Sequence, residues 1–271
     1  MRILVTNDDG IAAPGLEVAE AIARELSDDV WTVAPAFEQS GVGHCISYVK
    51  PTMVSKLGER RFAIEGSPAD CVLAAQRGLI EGGVDLVISG VNRGNNAGEN
   101  ALYSGTLGAA MEGALQGLRA VGLSQFYGPG NARADDPFEA SRVHGAALMR
   151  RLLDADLWGR PGAYRTFYNV NFPPVPAAAV RGAAAVSQGY RGDGRMGVQP
   201  YDAPSGRQYM WVRGSAQAAD TGPGTDVAAN GRGWIAVTPM TADLTDRDTL
   251  ERLALDGDGA EGDLVDARQA P

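Results

Sequence analysis

Residues 2–10 are Arg2-Ile3-Leu4-Val5-Thr6-Asn7-Asp8-Asp9-Gly10, a short apolar run that ends in two adjacent acids. The apolar run predicts a buried first strand, with the acids directly at its carboxyl end. In a protein with a parallel sheet, ligands bind in the crevice outside the carboxyl ends of the strands. Adjacent carboxylates there repel each other unless a positive charge lies between them. The segment therefore predicts either a divalent-metal site or a turn whose acids cap the next helix.

The order of predicted elements indicates an α/β fold. A strand at 2–6, a helix at 16–26 and a strand at 30–34 form a βαβ unit, which favours a parallel sheet. The alternation continues with predicted strands at 52–54, 61–64, 84–89, 120–123, 167–172 and 234–239, and predicted helices at 68–79, 105–118, 137–153 and 246–255. We expect one domain over residues 1–255, with a Rossmann-like, mostly parallel sheet and helices on both faces.

The later part of the chain has a different pattern. Extended segments at 182–190 and 207–212 predict β-hairpin arms outside the main sheet, within residues 175–213. The arms carry aromatic side chains that either contact another subunit or pack on their own: Tyr190, Tyr201, Tyr209 and Trp211. Residues 256–271 are rich in Gly, Asp and Ala and are expected to form a disordered acidic tail. We expect the arms and a C-terminal segment to serve oligomerisation.

Composition argues against several classes of partner. The 24 basic and 33 acidic residues give a formal net charge of −9, so a basic surface for a nucleic-acid duplex or an anionic membrane is not expected. No apolar run approaches the length of a signal peptide or a membrane span. Two cysteines are too few for a disulfide framework. We therefore expect a cytoplasmic protein without membrane contact.

Several catalytic classes are also disfavoured. The only histidines, His44 and His144, argue against zinc sites built on imidazole, and neither Lys50 nor Lys56 follows a P-loop. No Gly-x-Gly-x-x-Gly follows the first strand, which argues against a dinucleotide-dependent oxidoreductase. Gly10 occupies the second acidic position of the Asp-x-Asp phosphatases, so a covalent aspartyl intermediate is not indicated.

One spacing imitates a known active site. Cys71 and Arg77 match the Cys-x₅-Arg pattern of cysteine-dependent phosphatases. That chemistry needs a loop of converging N–H groups and a thiolate of lowered pKa. The five residues between the two are good helix formers without glycine, so the pair is predicted to lie within one helix.

Three predicted strand ends bring oxygen ligands to one edge of the sheet. Asp8 and Asp9 supply carboxylates, Ser40 a hydroxyl and Asn92 an amide carbonyl. An oxygen-only set suits Mg²⁺ or Mn²⁺. Taken singly, Ser40 reads as a turn residue and Asn92 as a side chain that caps backbone groups. Their common location favours the metal site.

The same edge carries a candidate phosphate site. Ser104-Gly105-Thr106 opens a predicted helix, where hydroxyls and unpaired N–H groups would stabilise an anion. Ser104 alone is equally explained as a helix N-cap. Asn96, on the same loop as Asn92, adds a donor to the phosphate.

These motifs together resemble the SurE nucleotidases, and the similarity in order extends over residues 1–245. It is carried by Val5-Thr6-Asn7-Asp8-Asp9-Gly10-Ile11, Ser40-Gly41-x-Gly43-His44, Gly66-Ser67-Pro68-Ala69-Asp70-Cys71, Ser89-Gly90-Val91-Asn92-Arg93-Gly94-x-Asn96-x-Gly98, Tyr103-Ser104-Gly105-Thr106, Met111-Glu112-Gly113, Asn169-Val170-Asn171, Asp220-Thr221, Val237-Thr238-Pro239 and Asp243-Leu244-Thr245. Departures are Ser67 where many relatives have Thr, and Cys45 where a small or apolar residue is usual. Residues 175–213 match least.

The resemblance implies a divalent-metal-dependent 5′/3′-nucleotidase acting on nucleoside monophosphates, with a Rossmann-like core and exchanged arms in a homodimer or homotetramer. It implies one divalent cation per subunit, held by Asp8, Asp9, Ser40 and Asn92. It also implies that Asn96, Ser104, Gly105 and Thr106 surround the phosphate.

We interpret the chain as a phosphomonoesterase that works by metal-assisted hydrolysis. Asp9 is expected to orient or deprotonate the water, and Asn96 and Thr106 to hold the transferring group. The alternative is a non-catalytic nucleotide-binding stress sensor that uses the same pocket.

Overall fold

The computed structural model describes residues 1–159, 163–192, 196–214, 217 and 219–253. The strands are β1 Ile3–Thr6, β2 Val30–Pro35, β3 Val54–Gly58, β4 Arg61–Ile64, β5 Leu86–Arg93, β6 Arg119–Gln125, β7 Phe167–Phe172, β8 Ala183–Ala185, β9 Gly197–Asp202, β10 Gln208–Arg213 and β11 Ile235–Met240. The α-helices are α1 Pro14–Arg24, α2 Pro68–Ala74, α3 Asn100–Tyr103, α4 Gly105–Leu115, α5 Glu139–Ala155, α6 Asp226–Gly231 and α7 Arg247–Arg252.

The main sheet has nine strands in the order β3-β4-β2-β1-β5-β6-β7-β11-β8. The six strands from β4 to β7 are parallel to one another. Beyond these six, β3 pairs antiparallel with β4 at one edge, and β11 pairs antiparallel with β7 on the other side. The prediction of an α/β, mostly parallel sheet is confirmed.

Side chains alternate between the two faces of the sheet, as a strand requires. Ile3 and Val5 of β1 pack in one core with helices α1 and α5. Leu4, between them, packs in a second core with helices α2 and α4. Helices therefore cover both faces, which explains why β1 and the first half of β5 are apolar at nearly every position.

The chain order creates a crevice between β1 and β5. From β1 the chain forms β2, β3 and β4 on one side of β1, then crosses to the other side and continues through β5, β6 and β7. Such a switch point is where open α/β sheets bind ligands. The loop after β1 and the end of β5 meet there.

Two successive crossovers have opposite hands. The steps from β5 to β6 and from β6 to β7 run in the same direction across the sheet. Their connecting helices α4 and α5 nevertheless lie on opposite faces, since they belong to different cores. One of the two therefore departs from the usual right-handed connection.

The structure corrects several predicted boundaries. The helix predicted over 68–79 changes to a π-helical turn at Ala75–Leu79. The strand predicted over 84–89 begins at Leu86 and continues to Arg93, and the loop that follows it contains the short helix α3. The predicted acidic tail at 256–271 lies outside the described residues. The single domain over 1–255 stays a prediction.

The arms differ from the expectation in one part. Residues 182–190 were expected outside the main sheet, but β8 pairs with β11 and forms its edge. Three alanines gave no side-chain pattern from which that pairing could be read. Strands β9 and β10 form a separate two-stranded antiparallel hairpin, as expected for an arm. Among the described residues, no helix is long and apolar enough to cross a membrane.

Candidate functional site

The two acids after β1 lie in a turn closed by the preceding asparagine. Asn7 accepts a hydrogen bond from the Gly10 N–H at 3.2 Å and donates to the Gly10 carbonyl at 2.9 Å. The alternative in which the acids cap the next helix is wrong, because the N-cap of α1 is Ala13 and receives no side-chain hydrogen bond. Asp8 and Asp9 are thus left available for another role.

Three other segments converge on this turn. The Gln39 N–H, in the loop after β2, donates to the Asp8 carbonyl at 2.7 Å. At the end of β5, the Arg93 N–H donates to Asp9 Oδ2 at 2.9 Å. From the first turn of α4, Thr106 Oγ1 donates to Asp8 Oδ1 at 2.5 Å. These contacts bring the predicted strand-end loops to one place.

A cleft of about 450 Å³ opens there and collects most of the predicted residues. It is lined by Asp8, Ser40, Asn92, Asn96 and Ser104. The remaining three lie beside it.

Asp9 lines a second depression of about 300 Å³, which shares Arg93 with the cleft. Gly105 and Thr106 lie behind Asp8: a Cβ on Gly105 would come within 2.8 Å of the Asp8 Cβ. Only a glycine can bring the helix this close to the carboxylate.

The electrostatics of Asp8 are unfavourable for a free carboxylate. Burial, with a smaller contribution from the neighbouring Asp9 charge, raises the pKa of Asp8 to about 6, although hydrogen bonds from Thr106 act in the opposite direction. Burial also raises the pKa of Asp9, against a backbone hydrogen bond from Arg93. A bound cation would relieve the repulsion between these two adjacent carboxylates and would favour their charged forms.

The donor set suits a hard divalent cation. Asn92 uses its Nδ2 for the Gly94 carbonyl at 3.2 Å, which leaves its carbonyl oxygen for another partner. Ser40 is exposed, and its hydroxyl donates to Glu38 at 2.9 Å while keeping its lone pairs. Within the described ranges no group of three His, Cys, Asp or Glu could hold a metal, so a site here needs the two neutral oxygens.

Of the residues predicted at the phosphate site, Asn96 and Ser104 line the cleft, whereas Thr106 does not. Ser104 is the N-cap of α4, accepting from the Leu107 N–H at 3.2 Å, and Asn96 donates from Nδ2 to Ser124 Oγ at 2.8 Å while lining the cleft. Thr106 gives its hydroxyl to Asp8 instead of to the cleft. Contact between Thr106 and a phosphate stays a prediction.

Sequence reasoning gave no role to the residues that hold Asn96. Asn169, Asn171 and Ser124 are all fully buried and bond to it. The available signal was two asparagines at a spacing of two within the otherwise apolar Phe167-Tyr168-Asn169-Val170-Asn171-Phe172.

The cysteine-phosphatase spacing is not a site. Cys71 lies fully buried within α2, and Arg77 in the π-helical turn that continues it. Burial raises the pKa of the Cys71 thiol well above its ordinary value. A reactive thiolate requires the opposite shift.

Known proteins are similar to this chain in sequence and in fold. Residues 3–194 match the family described as Survival protein SurE. Two proteins named 5′-nucleotidase SurE, from Cereibacter sphaeroides and Dinoroseobacter shibae, are 60% and 62% identical over 257 residues, which cover 93% of this chain and 98% of each relative. The crystal structure of the SurE protein from Aquifex aeolicus matches with a TM-score of 0.76 and 31% identity, covering 93% of this chain and 98% of that one. With its strand-end acids and cleft in the expected place, this chain belongs to the SurE family.

Proposed function

We propose that this chain is a divalent-metal-dependent phosphomonoesterase that hydrolyses nucleoside 5′-monophosphates to nucleoside and phosphate, with 3′-monophosphates as second substrates. The observation that carries the proposal is the buried Asp8 carboxylate beside Asp9, in the cleft that also contains Ser40 and Asn92. The relatives named 5′-nucleotidase support the reaction class, a hydrolase acting on phosphomonoesters.

Asp8, Asp9, Ser40 and Asn92 would hold one Mg²⁺ or Mn²⁺ per subunit. When bound, the ion supplies charge neutralisation for the phosphate oxygens and polarises a water. Asp9 has its Oδ2 oriented by the Arg93 N–H, so its other oxygen is available to orient or accept a proton from the water.

Binding of the phosphate needs local donors, because the net charge of −9 repels an anion at long range. Asn96 commits one N–H to Ser124 and keeps a second, since an amide NH₂ has two. The N-terminal end of α4, capped by Ser104, adds a favourable dipole for an anion. Gly105, the first residue of that helix, belongs to the proposed phosphate site.

The aromatic side chains at the cleft support a nucleoside rather than a simple phosphate ester as the substrate. Tyr103, Phe126 and Tyr127 line the same cleft as the phosphate-site residues. Aromatic rings provide stacking surface that every base can use. We further propose a cytoplasmic location and a homodimer or homotetramer.

The deciding experiment is phosphate release from a nucleoside 5′-monophosphate by protein stripped with a chelator, before and after addition of Mg²⁺ or Mn²⁺. We expect activity to be lost on stripping and restored by either ion. Full activity in verified metal-free protein would contradict the metal-dependent mechanism. Nucleotide binding without turnover under every metal condition would instead indicate a nucleotide sensor.

A further inference from the structure

Residues 95–98, here called the 95–98 loop, reach the cleft through their first two residues. Asn95 and Asn96 line the cleft, and all four residues of the loop are buried. A buried loop must satisfy its backbone N–H and C=O groups without water. In this loop most of those groups are satisfied by side chains from other elements.

Two asparagines of β7 hold the backbone of Asn96 from both sides. The Asn96 N–H donates to Asn171 Oδ1 at 2.8 Å, and Asn169 Nδ2 donates to the Asn96 carbonyl at 2.9 Å. The two asparagines are bonded to each other, Asn171 Nδ2 to Asn169 Oδ1 at 2.9 Å. Their spacing of two places both side chains on the same face of the strand. The position of Asn96 is therefore set by an interlocked pair.

The side chain of Asn96 is fixed by a third group. Its Nδ2 donates to Ser124 Oγ, at the end of β6, at 2.8 Å. This bond orients the amide and leaves its second N–H for the cleft. Backbone and side chain of the phosphate-site residue are thus held by three fully buried polar residues on two neighbouring strands.

The far end of the loop is held in the same way. The Gly98 N–H donates to the fully buried Asp226 at 2.9 Å, and Gln188 donates to the Gly98 carbonyl at 2.9 Å. Asp226 also accepts from the Gly189 N–H at 2.8 Å. Side-chain hydrogen bonds have directional geometry, so they specify one loop conformation more narrowly than apolar packing would.

We propose that Asn169 and Asn171 are positioning residues: they hold Asn96, with Ser124 orienting its side chain, and thereby set the affinity of the site for phosphate. The inference rests on the proposed function. Two amides in the middle of a core strand each contribute only about 1 kcal/mol of net stability per hydrogen bond, whereas apolar side chains would fill the same positions without desolvation cost. The need to hold the polar 95–98 loop in one conformation explains why β7 carries these two asparagines.

The test is a double-mutant cycle on Asn96→Ala and Asn171→Ala. The measurements are KM and kcat for a nucleoside monophosphate, the dissociation constant of inorganic phosphate by calorimetry with Mn²⁺ present, and thermal stability. We expect Asn171→Ala to raise KM and the phosphate dissociation constant about tenfold, the size expected for one hydrogen bond to a charged group. In the Asn96→Ala background the same change should add less than about twofold, because the side-chain amide that the network positions for phosphate is already gone.

Asn230→Ala is the matched control. Asn230 is fully buried and donates from Nδ2 to the Asn171 carbonyl at 2.8 Å, so it belongs to the same network without a bond to Asn96. Its loss should lower stability without changing KM or phosphate affinity. If Asn171→Ala does not fold, Ser124→Ala replaces it in the cycle, since removal of one buried hydroxyl is a smaller change.

Equal effects of Asn171→Ala in the wild-type and Asn96→Ala backgrounds would overturn the proposal, as would effects on stability alone. Phosphate binding does not depend on turnover. A protein that binds phosphate through this network but releases none from nucleotides would therefore contradict the proposed function while supporting the positioning role.

Discussion

At the scale of single residues, ionisation of the buried Asp8 carboxyl destabilises the folded protein. Its pKa is raised from 3.8 to about 6, mainly by burial. The folded state therefore binds a proton more tightly than the unfolded state does. This lowers the stability of the metal-free protein as pH rises from about 4 to about 6, and the cost then stays constant at higher pH.

Asp8→Asn should remove that cost. Asparagine keeps an oxygen that can accept from Thr106 but carries no charge. With chelator present, we expect the variant to be more stable than the wild type by roughly 1–3 kcal/mol at about pH 7, and equal to it near pH 4. Urea unfolding at the two pH values measures the difference. Activity should fall by orders of magnitude, and Mn²⁺ affinity at least about tenfold.

Asp154→Asn, a change at an exposed acid of α5, is the control for a general effect of removing one negative charge. It should change neither stability nor metal binding. If Asp8→Asn binds Mn²⁺ as tightly as the wild type in calorimetry, Asp8 is not a ligand.

At the scale of elements, α4 and the loop that carries Ser40 fit together through a close backbone contact. A Cβ on Gly108 would lie 2.3 Å from the Gly43 carbonyl oxygen. The next residue after Gly43 is His44, whose Nε2 lies 2.7 Å from Oε2 of the buried Glu112 of α4. The loop is thus held against the helix at two successive residues.

Gly108→Ala should push the loop away from α4. We expect the free energy of unfolding to fall by about 1–3 kcal/mol, because the added methyl group collides with the Gly43 backbone, which cannot move aside as a flexible side chain could. Metal affinity should weaken as well, since Ser40 lies on the displaced loop. Gly231→Ala is the control: nothing lies within 4 Å of a Cβ there, and its stability should change little. Unfolding curves and Mn²⁺ titrations of both variants check this, and unchanged metal affinity in Gly108→Ala would argue against Ser40 as a ligand.

Elements with strong apolar patterns were predictable from the sequence. The strand at 167–172 has the expected bounds, and the acids after β1 lie at the switch point as strand-end reasoning requires. Short segments without a pattern were not: β8 consists of three alanines, and its place beside β11 depends on tertiary pairing alone.

The candidate site was predictable to a similar extent. Its location follows from local sequence and parallel topology, which bring Asp8, Ser40 and Asn92 to one cleft. The roles of Asn169 and Asn171 depend on the register of β7 against a loop more than 70 residues earlier, which no local pattern encodes. Thr106 was expected at the phosphate, but only the structure places its hydroxyl on Asp8.

At the scale of the whole molecule, the hairpin of β9 and β10 lacks a core of its own. Tyr201 lies opposite Tyr209, and Trp211 opposite Gln199, on one face of the ribbon. Met210 points to the other face, and every residue of both strands is exposed. An isolated two-stranded hairpin is marginal in water, and apolar side chains on both faces indicate a missing partner.

The hairpin also begins and ends at the cleft, since Met196 and Gly214 on either side of it line the cavity. A second subunit that covers the hairpin would therefore approach the nucleotide site. We expect the full chain to be a homodimer or homotetramer. Replacement of residues 197–213 by a short linker should give a monomer that binds Mn²⁺ normally but discriminates less between nucleotides.

Light scattering at micromolar concentration measures the mass of the assembly. A milder variant, Trp211→Ser with Tyr209→Ser, removes the aromatic contacts but keeps the hairpin, so it shows whether those contacts hold the subunits together. Trp211 is 68% exposed and Tyr209 is 53% exposed, so the two substitutions should not disturb the fold of the subunit itself. Tyr164→Ser, at an equally exposed tyrosine outside the hairpin, should leave the mass unchanged. A wild-type chain that is monomeric at this concentration, yet fully active and selective on nucleotides, would show that the hairpin serves neither assembly nor the pocket.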